Sequence, residues 1–351
     1  MKREKKVEGK IRVLILVMMI VMRCNSGGKD PEKVFLSEMV NLGKGFLGVF
    51  VSFGDMVSGT LGIKADTKKS EIGKYFSDIE KTMNAVKSKL NAVVAENGDY
   101  SKVKEVVEQF INGILDKVAE GAKEAASGIK DASGNLGDIE KADDASKGAE
   151  ATSVINLVKG IKTIVDVVLK PNEGDGLKDV TKSLDDDKKK IGKLFGDKTG
   201  SGAEEKHIAA ASASVGAVSG VDILQAIAKS SGNVAVGKAS AAKDAAGLAM
   251  ANGDSTETTD LDAAAKKDAV MSAGIALRAM AKNGKFIVKD DAANKTEAEG
   301  AKGISSNAVS KVLSTLTIAI RNRVDEGLKE INKVLGEIKQ GEGSEAKSKT
   351  N

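Results

Sequence analysis

The feature that most constrains the fold of this chain is a long series of apolar residues at helical spacing near its C-terminal end. Side chains three and four positions apart lie on one face of an α-helix. This series therefore predicts one long helix with a continuous apolar seam. Its members are Val309, Leu313, Leu316, Ile320, Val324, Leu328, Ile331, Val334 and Ile338.

A matching seam lies near the N-terminal end and predicts a helix at 34–57 that packs against other helices. Its members are Phe35, Met39, Leu42, Phe46, Val49, Phe53 and Met56. Three more apolar stripes run from Ile72 to Val93, from Val103 through Ile114 to Val118, and from Val154 to Val168. The chain has only 2 prolines, so little interrupts these helices.

The middle of the chain has a different texture. Weaker helices, rich in small residues, are predicted at about 204–230, 234–251 and 261–283. Polar segments rich in Gly, Ser, Asp and Lys separate the helices, and they predict loops that face solvent. These segments are 128–150, 171–203, 252–260 and 290–303. The predicted fold class is therefore all-α.

The first 24 residues have the layout of a bacterial lipoprotein signal. Met1–Arg12 is basic, Val13–Met22 is apolar, and Cys24 is the only cysteine. Ten apolar residues are too few for a membrane span, which needs about 20. Cleavage by the ordinary signal peptidase at Ser26–Gly28 is an alternative, and Arg23 stands where a small residue is usual. We expect lipid on Cys24 after removal of 1–23.

This anchor gives a domain prediction. Residues 1–23 form the signal peptide, 24–30 a flexible lipidated tether, and 31–340 a single helical domain, with a disordered tail at 341–351. The N- and C-terminal helices are expected to pack together near the membrane in an elongated bundle. Residues 128–303 then form its variable, loop-rich, membrane-distal part.

Charge and composition limit the partners. The formal net charge is +4, but residues 1–23 hold seven basic and two acidic side chains, so the remainder carries −1. A near-neutral chain with 3% aromatic residues has no electrostatic or stacking case for binding nucleic acid. One cluster of lysines is either a solvated face or a site for a sulfated glycan: Lys266, Lys267, Lys282, Lys285 and Lys289.

Three motifs suggest chemistry, but their context argues against it. Gly43–Gly48 fits a dinucleotide-binding pattern but lies within a predicted helix, without the strand that the pattern needs. Gly232–Lys238 resembles a phosphate-binding loop but continues with Ala239 instead of Ser or Thr. Glu204–His207 is half of a carboxylate di-metal motif, and His207, the only histidine, is interpreted as a surface residue. The sequence thus predicts no catalytic, cofactor-binding or metal-binding residues.

Several segments nevertheless resemble a known family. They are the signal with Cys24, Asp30–Phe35, Phe53–Met56, and the stretch from Lys267-Asp268-Ala269 to Ala276-Leu277-Arg278-Ala279-Met280-Ala281-Lys282-Asn283-Gly284-Lys285-Phe286. In these the chain is similar to the variable large proteins, surface lipoproteins of relapsing-fever spirochaetes, and to their Lyme-spirochaete relative. The likeness covers essentially the whole mature chain.

The resemblance implies a helical antigen without catalysis, anchored by lipid in the outer membrane and facing outside. It implies antigenic variation that evades host antibodies, which would be its main partners. The alternative function is an adhesin for host glycosaminoglycan or extracellular matrix. Host glycans and a second copy of the chain are further candidate partners. Within the resembling stretch, Val270, Ile275, Leu277 and Met280 are expected to be buried, and Arg278 and Lys282 to form a thin exposed strip.

Overall fold

The structure, a computed structural model, describes residues 62–96, 101–142, 148–181, 185–196, 202–232, 237–252, 260–292 and 295–348. The predicted helix at 34–57 and its pairing with the C-terminal helix therefore lie outside the described residues. The same holds for the signal, Cys24 and Gly43–Gly48.

The described chain is helical with very little strand, which confirms the predicted all-α class. Eleven α-helices and two short strands are described. They are α1 Lys69–Glu96, α2 Ser101–Phe110, α3 Asp116–Ile129, β1 Ile139–Lys141, α4 Ala151–Val168, α5 Asp185–Lys189, α6 Gly192–Phe195, α7 Glu205–Ala217, α8 Gly220–Ala228, α9 Ala245–Met250, α10 Asp268–Met280, β2 Phe286–Val288 and α11 Thr296–Ser348.

These elements belong to two compact units. One includes Lys89–Val107 and the chain from Leu328 onward, and the other includes most of the remaining described residues up to Gly327. In the first unit six members of the predicted seams are buried: Leu90, Val93, Val103, Val107, Leu328 and Ile331. Val334 of the predicted C-terminal seam is only half-buried, and its neighbour Leu335 is buried instead. The second unit contains every site discussed below.

Close contact between α3 and α4 organises the second unit, and glycine makes it possible. A Cβ atom at Gly121 would lie 2.6 Å from the carbonyl oxygen of Gly160, and one at Gly128 would lie 2.8 Å from that of Ser153. The two backbones approach so closely that side chains at these positions would collide. Val154, Leu157 and Ile161 of α4 are fully buried as predicted.

A π-helical turn at Ile111–Leu115 joins α2 to α3 and shifts the apolar register. The predicted stripe placed Ile114 among the core residues. In the structure Ile111 and Leu115 are buried, whereas Ile114 is only half-buried. The wider turn accommodates an additional residue, so the buried face moves by one position.

Two strands that the sequence did not predict pair in parallel. Ile139 pairs with Phe286 and Lys141 with Val288. An isolated bridge joins Ala203 to Val288 on the other side of β2. Segments 128–150 and 171–203, both predicted as polar loops, thus each contribute a residue that pairs with β2. All three residues of β2, 286–288, are apolar and buried.

The predicted helix at 204–230 is wrong in one respect, since α7 and α8 meet at a bend of 99°. Ser219 breaks the helix because its side chain accepts a hydrogen bond from the backbone N–H of Asp222 and caps α8. Likewise, α9 starts only after Asp244, whose carboxylate accepts a hydrogen bond from the Gly247 N–H at 2.8 Å. Short polar residues compete with the helical backbone and restart it in a new direction.

Three further predictions differ from the structure. Residues 296–303, predicted as loop, form the first turns of α11. The polar segment 171–203 contains α5 and α6, with Ile191 and Phe195 fully buried. The α11 backbone stays helical to Ser348, within the predicted disordered tail; Gly341 and Gly343 lower helix propensity there but do not end the helix.

Candidate functional site

Helix α10 is buried along its whole length: all thirteen residues from Asp268 to Met280 are buried. It packs against α4, α7, α8 and α9, so that other helices cover it on several sides. Small residues make this possible, since a Cβ atom at Gly274 would lie 2.8 Å from that of Leu248. The predicted burial of Val270, Ile275, Leu277 and Met280 is confirmed.

A buried ionic cluster holds the N-terminal end of α10. The Lys188 ammonium lies 2.6 Å from an Asp179 carboxylate oxygen and 2.9 Å from one of Asp268. Asp268 also accepts hydrogen bonds from the backbone N–H groups of Val180 and Thr181 and from the Thr181 hydroxyl. Lys267 approaches Asp179 at 3.2 Å. A helix N-terminus favours such a carboxylate.

The pKa values of this cluster follow from its contacts. Burial alone would raise the pKa of Asp268, but hydrogen bonds from Thr181 and Lys188 outweigh it and lower the pKa to about 2. Burial would lower the pKa of Lys188, but the two carboxylates raise it. The groups are therefore charged at neutral pH, and each compensates the desolvation of the other. Lys188 was predicted to lie in a solvent-facing loop, which is wrong.

Arg278, near the other end of α10, is completely buried, so the predicted exposed strip is wrong at this residue. Its guanidinium donates to the carbonyl oxygens of Lys285 at 2.5 Å, Ala251 at 2.9 Å and Ala249 at 3.2 Å. It also lies 5.9 Å from the centre of the Phe195 ring. Burial lowers the pKa of Arg278, but arginine starts high enough to stay protonated.

A second buried basic residue, Lys69 of α1, contacts the same end of α10. Its ammonium donates a hydrogen bond to the carbonyl oxygen of Ala279. Burial lowers the pKa of Lys69 to about 7; Asp138 raises this pKa and Arg278 lowers it. The turn after α10 then passes through Asn283, whose φ of 60° is unusual for a residue with a side chain.

The lysine cluster proposed for glycans is partly neutralised. Lys282 lies 3.4 Å from Glu150, Lys285 lies 3.2 Å from Glu140, and Lys289 lies 3.5 Å from Glu204. Lys267 pairs with Asp179 in the buried cluster. These four lysines of the cluster therefore agree better with a solvated face that forms ion pairs than with a basic patch that binds a sulfated glycan.

His207 is buried, with 2% of its surface exposed, so its interpretation as a surface residue is wrong. Its Nδ1 accepts a hydrogen bond from the Glu204 backbone N–H at 3.0 Å and caps α7. This explains the Glu-x-x-His spacing: the third helical residue reaches back to the residue before the helix. The motif is structural in this chain.

The remaining features carry no chemistry that we can assign. No group of three or more side chains able to bind a metal occurs within the described ranges. No single helix among those described has the length and apolar composition to span a membrane. Helices α7 and α8, taken together across their 99° bend, have that length and composition. Lys238 of the phosphate-loop pattern precedes a short 3₁₀ helix at Ala239–Ala241 and bridges to Asn252.

Sequence reasoning missed the residues that hold α10 in place: Lys69, Asp179, Lys188 and Asp268. Their types are common on solvated surfaces, and periodicity says nothing about a partner far along the chain. One signal was available, because Asp268 opens a helix that is apolar or small almost all round. Such a helix is expected to be buried, and a carboxylate at its start then needs partners.

Comparison with known proteins identifies relatives over nearly the full length. The model of the Borrelia lipoprotein family matches residues 46–335. Variable large protein 4 of Borrelia hermsii is 51% identical over 95% of this chain and 94% of its own length. Variable large protein 17 of the same organism is 51% identical over 88% of this chain and 86% of its own.

A solved structure has the same fold. The crystal structure of the Lyme disease variable surface antigen VlsE of Borrelia burgdorferi matches with a TM-score of 0.71 and 32% identity. The match covers 86% of this chain and 98% of that one. The matching family is one of lipoproteins and the solved relative is a surface antigen, which confirms the expectation of an antigen and not an enzyme.

Proposed function

This chain belongs to the Borrelia lipoprotein family, and on that premise we propose that it is an outer-surface lipoprotein that undergoes antigenic variation to evade host antibodies. The observation that carries the proposal is the near full-length identity of 51% to variable large proteins. The likeness to a variable surface antigen of known structure supports it. It functions as an antigen and not as an enzyme.

The proposed anchor is a lipid on Cys24, inserted in the outer membrane with the helical domain facing outside. Cells that express the chain should incorporate labelled palmitate into it, and the protein should partition into detergent. Cys24→Ser should lose both properties. If the Cys24→Ser protein partitions with membranes as well as the parent does, the anchor lies elsewhere.

The proposed mechanism of evasion depends on which residues antibodies can reach. Helix α10 has no exposed residue, whereas Asn283 and Lys285 in the turn after it are exposed. Antibodies to intact cells should therefore bind outward-facing loops and helix faces, where side chains can change at little cost in stability. The α10 segment cannot serve as a target unless the protein opens.

Two sera test this argument on unfixed cells by flow cytometry. Serum against the peptide 268–280, which leaves out the exposed turn at Asn283 and Lys285, should bind denatured protein on a blot but stain intact cells weakly. Serum against the folded protein should stain intact cells strongly. Equal staining by both sera would mean that α10 is displayed, and the proposed division between hidden and exposed residues would fail.

Antigenic variation itself needs a separate test. Antibodies raised against this chain should kill cells that express it and spare cells that express a relative 51% identical to it. Isolates taken later in one infection should have replaced this chain by a divergent relative. Killing of both cell types at the same antibody dilution would argue against variation as the purpose of the protein.

The alternative function, adhesion to host glycosaminoglycan or matrix, has less support. Its candidate residues Lys282, Lys285 and Lys289 each lie within 3.5 Å of a carboxylate. Salt-sensitive retention on heparin that is lost in the triple Lys→Gln variant would favour adhesion. Dimerisation stays a prediction from the sequence.

A further inference from the structure

His207 is the only histidine of the chain, and it lies at a junction of three elements. It occupies the first turn of α7, which begins at Glu205, two residues after Ala203. The Ala203 N–H donates to the Ile287 carbonyl oxygen at 3.2 Å. The Lys289 N–H in turn donates to the Ala203 carbonyl oxygen at 3.0 Å. The cap at His207 therefore adjoins the attachment of residues 202–204 to β2.

The hydrogen bonds fix the protonation state of the ring. Because Nδ1 accepts from the Glu204 N–H, the neutral ring carries its hydrogen on Nε2. Nε2 is buried and has no hydrogen-bond partner among the described residues. A proton added to the ring must go to Nδ1, where it replaces the lone pair that accepts from Glu204. Protonation and the cap therefore exclude each other.

The surroundings oppose the charged ring. Burial lowers the pKa of His207 below its ordinary value near 6.5, and Lys193 of α6 and Lys206 lower it further. Glu204 and Asp187 of α5 act in the opposite direction. Glu204 is itself engaged by Lys206 and Lys289. The partial positive charge at the N-terminus of α7 adds to the opposition.

Charged groups on the other neighbouring helices are occupied elsewhere. On α10, Asp268 contacts Lys188 of α5, and Arg278 contacts backbone carbonyl oxygens. Lys189 of α5 pairs with Asp186. On α11, where Gly300 approaches Ile208, Glu299 pairs with Lys302. In each of these pairs the carboxylate already contacts a lysine and does not pair with the His207 ring.

We propose that His207 is an acid-sensitive latch: protonation at Nδ1 breaks the cap at Glu204 and releases residues 203–208 from β2. The sign follows from linkage. The latch contributes its full stabilisation above the ordinary histidine pKa near 6.5, because both states are then neutral. The contribution is lost as the pH falls, since the open state binds the proton more strongly. The antigen surface would then change in a mildly acidic environment while the rest of the fold persists.

Amide hydrogen exchange of the full-length lipoprotein in detergent micelles tests the latch at pH 7.5 and pH 5.0. After correction for the intrinsic exchange rate, protection of residues 203–208 should fall at the lower pH. The loss should be at most about 30-fold, because pH 5.0 lies about 1.5 units below the ordinary histidine pKa of the open state. Protection of α4 should stay constant, which separates local opening from general acid unfolding.

His207→Gln is the matched variant, because the glutamine oxygen can accept from the Glu204 N–H but does not titrate. Its residues 203–208 should have the same protection at both pH values. Equal pH dependence in parent and variant would overturn the latch. As a second measurement that needs no variant, the labelled ring gives a single NMR signal, since the chain has one histidine. A ring that titrates at or above the ordinary pKa, with unchanged protection, would also overturn the proposal.

Discussion

Helices α10 and α11 bury their side chains in different ways. Every residue of α10 is buried, and charged groups at its two ends, Asp268 and Arg278, are buried with it. Helix α11 buries one seam, including Leu313 and Leu316, while Ile318 on another face is 58% exposed. The first helix is enclosed by the protein, and the second presents a surface.

This difference shows where a surface antigen can vary. A substitution on the outward face of α11 changes what an antibody meets and removes few contacts. A substitution in α10 changes nothing that an antibody meets on the closed protein, but it disturbs several helices at once. Comparable mutations should therefore have very different costs in the two helices, and the following predictions test this.

The largest effect is expected from Lys188→Met, which removes the cation that joins Asp268 at the start of α10 to Asp179. Two carboxylates then stay close together without their shared partner, and breaking a buried pair in this way costs about 3–5 kcal/mol. Chemical denaturation should show this loss in the free energy of unfolding. The neighbouring Lys189→Met is the control, because Lys189 pairs with an exposed Asp186; it should unfold like the parent. Equal unfolding of both variants and the parent would show that the cluster does not stabilise α10.

The next effect is a dependence on pH that comes from Lys69, at the other end of α10. Its pKa is lowered to about 7 in the folded protein, below the ordinary value of 10.5. Its contribution to stability is therefore complete only above 10.5 and is lost as the pH falls toward 7. Between pH 7 and pH 9 the free energy of unfolding should rise by up to about 1.4 kcal/mol per pH unit.

Lys69→Met should remove this rise, whereas the exposed neighbour Lys68→Met should retain it. Denaturant unfolding at several pH values makes the comparison. A rise that persists in Lys69→Met would mean that another group titrates in this range and that the rise does not come from a lowered pKa of Lys69.

The two helices also differ in how far the sequence predicts them. Periodicity alone places the seam of α11, and Val309, Leu313, Leu316 and Ile320 are buried as expected. It also places α4, which ends three residues before Pro171. The local pattern suffices because each helix needs only one apolar face, whatever covers it.

The surroundings of α10 could not be predicted in the same way. Burial of its apolar residues was expected, but that of Arg278 was not, because its partners are backbone carbonyl oxygens at Ala249, Ala251 and Lys285. Every residue has a backbone carbonyl oxygen, so the residue types in a sequence do not show which of them accept a hydrogen bond from Arg278. The pairing of Lys188 with Asp268 joins residues 80 positions apart. The chain has many other lysines and carboxylates, and the sequence alone does not show which of them pair.

Glycine to alanine changes in the two helices should have opposite signs. A Cβ atom at Gly274 of α10 would lie 2.8 Å from that of Leu248, so Gly274→Ala forces the helices apart and should cost about 1–3 kcal/mol. A Cβ atom at Gly303 of α11 meets nothing within 4 Å. Gly303→Ala should therefore stabilise by about 0.4–1 kcal/mol through the reduced entropy of the unfolded chain. Unfolding curves decide the matter, and a loss of stability in both variants would mean that α11 is as enclosed as α10.

The smallest effect is expected when one methylene group is removed from an isoleucine in each helix. Ile275 of α10 is fully buried, and Ile275→Val should cost about 0.5–1.5 kcal/mol because it leaves a small cavity. Ile318→Val on the exposed face of α11 should change the free energy of unfolding by less than about 0.5 kcal/mol. Both residues are β-branched, so helix propensity hardly differs within either pair. The same sera that stain intact cells should bind Ile275→Val as they bind the parent, whereas antibodies directed at the outward face of α11 should distinguish Ile318→Val. If Ile318→Val costs as much as Ile275→Val, its side chain is covered in the protein as it exists on the cell, and that face of α11 is an interface and not a displayed surface.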